Sequence, residues 1–344
     1  MSNKFYFIGP CGGGDVPTNG ASAKNLQIVN YFKEYGCAVK IIDTERWKKN
    51  PLVLLHLFFC LFAYQGRYIV SANNTSSYRL LSILTKLPLK QFIAYWVIGG
   101  SIADWIKDGR VSAEPFKKVD MIMCEGERMK QVFLECGIER VEVVPNFKKI
   151  NYIPPRSIIK KESLKFVFLS RIIRDKGVNV IIDAVKILNK RMKGFSVDFY
   201  GPFESSYKEE FMTSIDGIDN IKYKGFLNLN ESNNYKTLAE YDVMLFPTYW
   251  HGEGFPGIII DAFIAGLPVV ATDWSMNGEL IKEGINGWLI PPKDAKALAD
   301  KMEDIIDKKD SLSEKAKLCQ ETARHYDIDF VLNKELLESL GFHN

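Results

Sequence analysis

The sequence predicts an α/β protein made of two doubly wound units, and three observations carry this. Short apolar runs alternate with segments of helical period along most of the chain, the pattern of a parallel sheet covered by helices. The stretch "PNFKKINYIPPRS" interrupts the alternation with three prolines and no helical period, so it reads as a linker. Glycine-rich loops follow several of the apolar runs, where ligands of such sheets bind. A length of 344 residues suits two domains at ~100–200 residues each.

The elements follow in order. "KFYFIGP" reads as a strand and "GGGDVPTNG" as a long loop. "ASAKNLQIVNYFKEYG" has apolar positions at Leu26, Val29 and Phe32 and stops at Gly36, which predicts a helix. The strand "CAVKIID", a helix near 50–64, the strand "RYIVSA", a helix near 76–86 and the strand "QFIAYWVIGG" come next. "VDMIMCE" and "VEVVPN" close the first unit, residues 1–150. After a linker at 151–162, the second unit runs through 163–325. It contains "LKFVFLSR", the helix "GVNVIIDAVKILNKRM", then "FSVDFYGP", "IKYKGFL", "DVMLFPT" and "NGWLIPP". A helical tail follows.

Composition narrows the function classes. Apolar residues make up 47% of the chain, which supplies two cores and excludes a disordered chain. A net charge of +3 is too small to argue for nucleic acid. The first 150 residues carry 20 Lys and Arg against 13 Asp and Glu, and the remainder 25 against 29. That basic first half suits an anionic partner, a phosphate or a membrane surface, or reflects two unrelated solvated surfaces. Cys11, Cys37, Cys60, Cys124, Cys136 and Cys319 scatter like small core residues without zinc spacing, as in a reducing cytosol. The chain opens directly on a strand, so no signal peptide is expected. The apolar run Leu52–Tyr64 is too short to span a bilayer; it reads as a core helix or an interfacial segment.

The loops after strands hold the candidate chemistry. In "FLSRIIRDKG", Arg171 follows a strand and Lys176 precedes a helix start. Two cations beside helix amides suit a diphosphate, although an exposed turn is often basic too. Gly12, Gly13 and Gly14 allow close approach of backbone to a ligand, or form a plain surface loop; a dinucleotide fingerprint is not present. The richest stretch is "HGEGFPGIIIDAFIAGLPVVATDW". Glu253 lies between Gly252 and Gly254, where its carboxylate can reach a ligand. Pro256 suits the first turn of a helix, and amides near Gly257 suit a phosphate oxygen. Asp261, two turns behind Glu253, can accept hydrogen bonds from vicinal hydroxyls such as those of a ribose. Sites for sugar hydroxyls, phosphate and ribose on one element are what a nucleotide-sugar pocket requires.

"SRIIRDKG", followed about 80 residues later by "EGFPGIIIDAFIAGLPVVATD", resembles family 4 of the glycosyltransferases, retaining enzymes of the GT-B fold. The family motif is an acid, seven residues and a Glu. With the Gly-rich first loop, "VVPN" and "NGWLIPP", the resemblance spans nearly the whole chain, and its flavour is that of enzymes building bacterial capsule, exopolysaccharide or O-antigen repeats. It implies two Rossmann-like domains facing a central cleft, the first on the acceptor side and the second for the donor. It also implies a C-terminal helix in 326–344 that packs back on the first domain.

The resemblance further implies roles. Arg171 and Lys176 would hold the donor diphosphate, and Glu253 would meet hydroxyls of the transferred sugar. Gly254, Phe255 and Pro256 would line sugar and diphosphate with backbone and ring, while Asp261 would bind the ribose. Gly13 and Gly14 would come from the other domain, and the loop near Leu227 would meet the base. The chemistry would be front-face and metal-independent, with the leaving diphosphate helping to deprotonate the acceptor. No cofactor is expected, only a nucleotide-sugar as substrate and a lipid-linked or free saccharide as acceptor. The acids Asp327 and Asp329 read as a helix cap rather than a metal motif, and the four His form no ligand set.

Two departures stand out. The second acid is Asp261, one methylene shorter than Glu. Where many members carry a His after the fourth strand, this chain has Gly99 and Gly100, with Asp104 as the nearby acceptor-side candidate. A nucleotide-sugar-binding partner without catalysis, or a GT-B epimerase or phosphorylase, are the alternative functions. Finally, Arg46, Trp47, Lys48 and Lys49 precede the apolar run at 52–64. Together they suit peripheral contact with anionic lipid on the inner face of the plasma membrane, or else form the basic first turn of a core helix.

Overall fold

The computed structural model describes residues 4–12, 20–45, 52, 55, 59, 66–87, 91–156, 163–229, 231 and 233–342. They divide into two compact units, Met1–Pro145 with Leu332–Asn344, and Asn146–Val331. The division falls at Pro145, ahead of the expected boundary at 150. The reason is local: the Asn146 amide donates to the Phe255 carbonyl at 3.0 Å, and Lys148 exchanges backbone hydrogen bonds with Tyr326 and Ile328. The tail divides likewise at Leu332 rather than 326.

The first unit holds a six-stranded parallel sheet in the order β2-β1-β3-β4-β5-β6. Its strands are β1 Lys4–Gly9, β2 Ala38–Asp43, β3 Arg67–Val70, β4 Phe92–Trp96, β5 Met121–Cys124 and β6 Val141–Val143. Phe5, Tyr6, Phe7 and Ile8 are all buried, as expected of a strand covered on both faces. The helix Gly20–Glu34 buries Ile28, Val29 and Phe32, but also Asn25 and Lys24 in place of the expected Leu26. Polar residues are tolerated there because they are paired. Asn25 donates to the carbonyls of Pro10 and Ser71 and accepts from the Ser71 hydroxyl, and Lys24 meets Glu125 at 2.7 Å. The C-terminal segment closes this core. Phe342 stacks on Phe5 at 3.9 Å, and Arg67 donates to the Leu340 carbonyl at 2.6 Å. Gly341 has φ +82, and a Cβ there would run into the Arg67 guanidinium.

The second unit holds another parallel sheet, ordered β12-β11-β10-β7-β8-β9. Its strands are β7 Leu164–Leu169, β8 Phe195–Tyr200, β9 Ile221–Tyr223, β10 Val243–Phe246, β11 Val269–Thr272 and β12 Gly287–Ile290. The chain steps outward from β7 to β9, then returns to lay β10 on the other side of β7. The order therefore reverses between β7 and β10, and the crevice at their carboxyl ends is where a doubly wound sheet binds its ligand. The helix Val178–Leu188 follows β7 and packs on the helix Ala295–Asp307. Short helices that apolar period does not announce appear in both units, among them Glu127–Glu135 and Asn234–Leu238. Among the described residues, no helix is long and apolar enough to cross a membrane.

Candidate active site

The reversal point brings together the loop after β7 and the loop after β10. They touch at Gly177, which has φ +78 and would place a Cβ 2.1 Å from the Pro247 carbonyl oxygen. Only glycine allows both the left-handed backbone and that approach. Lys176 is thereby turned toward the end of β10. Its ammonium meets Glu253 Oε2 at 2.5 Å, and the two residues are only 5% and 8% exposed. The fully buried Thr248 hydroxyl donates to the same Oε2 at 2.9 Å. Burial pushes the Lys176 ammonium below the usual lysine range, while Glu253 opposes that shift and Arg171 adds to it.

Trp250 ties Arg171 to this pair. The Arg171 guanidinium and the Lys176 ammonium each lie 4.8 Å from the centroid of the Trp250 ring. The ring attracts both cations and so offsets their mutual repulsion. A side chain at position 252 would strike this ring at 2.6 Å, which explains Gly252. The turn itself is pinned by side chains from the loop after β11. Ser275, at φ +52, donates through its hydroxyl to the Glu253 carbonyl at 2.8 Å, and the Trp274 indole donates to the Trp250 carbonyl at 2.9 Å. The Thr272 hydroxyl donates to the Thr248 carbonyl. Arg174, by contrast, turns away to pair with Glu210 at 2.5 Å.

Behind the turn, Pro256 caps the helix Gly257–Ile264 without a side-chain cap hydrogen bond. Phe255 is buried, with its ring tilted against Tyr326 at 5.8 Å. Asp261 is buried on this helix and does not touch the Lys176–Glu253 pair. Its Oδ1 accepts from the Tyr235 hydroxyl at 2.5 Å and its Oδ2 meets the Lys148 ammonium at 2.9 Å. Burial first, and then the Asp261 charge, pushes the Tyr235 hydroxyl above its usual range, so it stays a donor. Leu227 lies half-buried in the loop after β9, beside an exposed Phe226.

In the first unit, Gly99 and Gly100 form the turn after β4, with Gly99 at φ +91. Asp104 sits in the helix Ile102–Lys107 and pairs with Arg128 at 3.3 Å. Gly13, Gly14, Arg46, Trp47, Lys48 and Lys49 lie outside the described residues. Asp327 accepts from the Asp329 amide at 3.1 Å, a local cap. Of the expected site residues, the fold thus joins Arg171, Lys176 and Glu253, and sets Asp261 apart with other partners. Thr248, Trp250, Lys148 and Tyr235 escape sequence reading. Only Thr248 carries a signal in hindsight, since it stands at the carboxyl end of a buried strand.

The family model described as Glycosyl transferases group 1 matches residues 150–326, just over half of the chain. The chain is 30% identical over 181 residues to the amylovoran biosynthesis glycosyltransferase AmsK of Erwinia amylovora, a match covering 49% of this chain and 43% of that protein. It is 28% identical over 216 residues to the putative colanic acid biosynthesis glycosyltransferase WcaL of Escherichia coli strain K12, covering 60% and 52%. The chain thus spans about half the length of these curated relatives. Among solved structures it is similar to Anabaena Alr3699/HepE in complex with UDP, with a TM-score of 0.75 at 17% identity, covering 98% of this chain and 99% of that one. The apo form of the lipopolysaccharide outer core galactosyltransferase WaaB gives a TM-score of 0.73 at 14% identity, covering 98% and 99%. At these identities the likeness is one of fold, the GT-B arrangement of two parallel α/β sheets.

Proposed function

The chain belongs to the group 1 glycosyl transferases, and on that premise we propose that the Lys176–Glu253 site takes a sugar from a nucleotide-sugar and passes it to a saccharide or lipid-linked oligosaccharide in bacterial surface polysaccharide synthesis. The observation that carries this is the buried cation–carboxylate pair at the reversal point of the donor-side sheet, with Arg171 beside it. Arg171 and Lys176 take the diphosphate of the donor. As the bond from the anomeric carbon to the diphosphate breaks, negative charge gathers on the leaving oxygens, and two preorganised cations stabilise it without reorganising. The acceptor oxygen attacks from the same face, its proton passes to the leaving diphosphate, and the anomeric configuration is retained. No metal enters this account, because the two side-chain cations supply the charge.

Glu253 positions the sugar. Lys176 and Thr248 both address Oε2, which leaves Oε1 to accept from a sugar hydroxyl. The pinned turn fixes that oxygen in place, as near-attack geometry requires. The relatives named for amylovoran and colanic acid biosynthesis and the solved structure of similar fold that holds UDP support the substrate class. Peripheral contact with anionic lipid belongs to the same reading. Leu52, Leu55 and Phe59 are helical and exposed, and in sequence they follow the basic residues at 46–49, a combination that suits such contact.

One experiment tests the reading. Purified protein is incubated with a panel of nucleotide-sugars and lipid-linked or free saccharide acceptors, and products are read by mass spectrometry. The expected result is an acceptor heavier by one sugar, with release of the nucleoside diphosphate. Donor binding without turnover on any acceptor of the panel would favour a non-catalytic nucleotide-sugar-binding partner instead.

A further inference from the structure

We infer that Glu125 and Asn74 position the acceptor sugar in the first unit, with Lys24 as the positioning residue that holds the Glu125 carboxylate. The inference rests on the sugar-transfer reading above and adds to it the residues that meet the acceptor. The Lys24 ammonium lies 2.7 Å from Glu125 Oε1, and the two side chains are only 7% and 5% exposed. A carboxylate accepts more than one hydrogen bond, so this ion pair does not exhaust it.

The place of the pair in the sheet points to a ligand. Lys24 stands in the helix Gly20–Glu34 that follows β1, and Glu125 directly follows β5. β3 and β4 lie between those two strands, a separation of roughly 14 Å at ~4.8 Å per strand. The contact therefore bridges the carboxyl ends of β3 and β4, the end of a doubly wound sheet that receives ligands. A buried ion pair adds little net stability over apolar residues of similar volume, so packing alone does not account for it.

Neutral polar groups gather at the same edge. Asn74 opens the helix Asn74–Leu84 after β3, and its amide donates at 2.8 Å to the hydroxyl of Ser101, which follows β4. Its Oδ1 is buried and accepts no hydrogen bond among the described residues, so a hydroxyl of a ligand would satisfy it. One turn further along that helix, buried Ser77 lies beside the Tyr95 hydroxyl of β4. Burial pushes this hydroxyl above the usual tyrosine range, Ser77 opposes the shift and the Glu125 charge adds to it, so it stays protonated near the carboxylate. At Gly99, in the turn after β4, a Cβ would meet no described atom within 4 Å, which leaves room beside the cluster. Lys24 and Glu125 cancel in charge, and the other groups are uncharged. Such a cluster suits sugar hydroxyls, which donate to Glu125 and Asn74, better than a phosphate, which the Glu125 charge repels.

The test is steady-state transfer by the full chain from UDP-glucose, UDP-N-acetylglucosamine or GDP-mannose to octyl glycosides of neutral sugars, read beside calorimetric binding of UDP and GDP. Glu125→Gln should lower kcat/KM for the glycoside by about tenfold or more, the worth of a charge-assisted contact. Asn74→Ala should raise the glycoside KM by about fivefold with kcat little changed, as loss of a neutral contact does. Asn74→Asp keeps an oxygen at that position and should retain most of the wild-type KM. Affinity for the nucleoside diphosphate should be unchanged in all three, an outcome that general loss of structure would not give. Asn74 is half-buried, so its variants decide the matter where Glu125→Gln does not fold. Glycoside kinetics unmoved in either folded variant, Asn74→Ala or Glu125→Gln, overturn the inference, as does nucleotide affinity lost together with acceptor use. A wild type that binds neither nucleotide, or transfers to none of the glycosides, removes the sugar-transfer reading itself.

Discussion

The Lys176 ammonium and the Glu253 carboxylate meet at 2.5 Å, 77 residues apart in the chain and almost sealed from solvent. Two buried charges of this kind are each costly alone and tolerable together. Lys176→Met should therefore destabilise the protein by about 3–5 kcal/mol, because it strands the Glu253 charge. Adding Glu253→Gln to it should recover part of the loss. Thermal unfolding of wild type, single and double variants checks this; a double variant less stable than Lys176→Met would contradict it.

The same burial makes donor binding sensitive to alkali. Only protonated Lys176 attracts the diphosphate, and its titration lies below the usual lysine range. Affinity should thus fall as pH rises, along a limb whose midpoint in the free protein is below lysine's ordinary value of about 10.4. Lys176→Arg should abolish that limb, since a guanidinium stays charged throughout. Calorimetry of nucleoside diphosphate binding across pH reads both outcomes, and a limb unchanged in the Arg variant would assign it elsewhere.

Trp250 carries both cations on one ring. Trp250→Leu should weaken nucleoside diphosphate binding several-fold, at roughly 0.5–2 kcal/mol per cation–ring contact. Trp250→Phe should lose less. Equal affinity in wild type and the Leu variant would show that the ring does not organise the pair.

If the segment 46–59 meets anionic lipid, the protein should bind vesicles of acidic phospholipid at low salt and release them as salt rises. Neutralising Arg46, Lys48 and Lys49 together should abolish the binding. A wild type indifferent to such vesicles would leave the exposed Leu52, Leu55 and Phe59 without a membrane role.

The alternation of apolar runs with helical period made both sheets legible, because strands buried on two faces leave continuous runs such as those at 5–8 and 243–246. Lys176 and Glu253 were legible as candidates for a similar reason: each stands in a loop behind such a run. Their contact was not, since it depends on strand order, and β7 lies beside β10 only because the sheet reverses there. Lys148 was hidden for a different reason. Its segment is rich in proline and lacks period, so it reads as mere connection, yet its backbone pairs with Tyr326 and its side chain with Asp261. Leu26 shows the opposite error: an apolar residue claimed the helix face that Asn25 and Lys24 occupy through pairing.

The central claim is that Glu253, held by Lys176, positions the reacting sugar, while Asp261 serves binding of the donor behind it. Steady-state kinetics with the donor and acceptor found by the product screen test this directly. Glu253→Gln should lower kcat strongly, because misplacing the sugar harms the chemical step. Asp261→Asn should mainly raise KM for the donor, since contacts alike in ground and transition states act on binding. Asp261→Glu should leave activity measurable. Turnover that survives Glu253→Gln but collapses in Asp261→Asn would contradict the account.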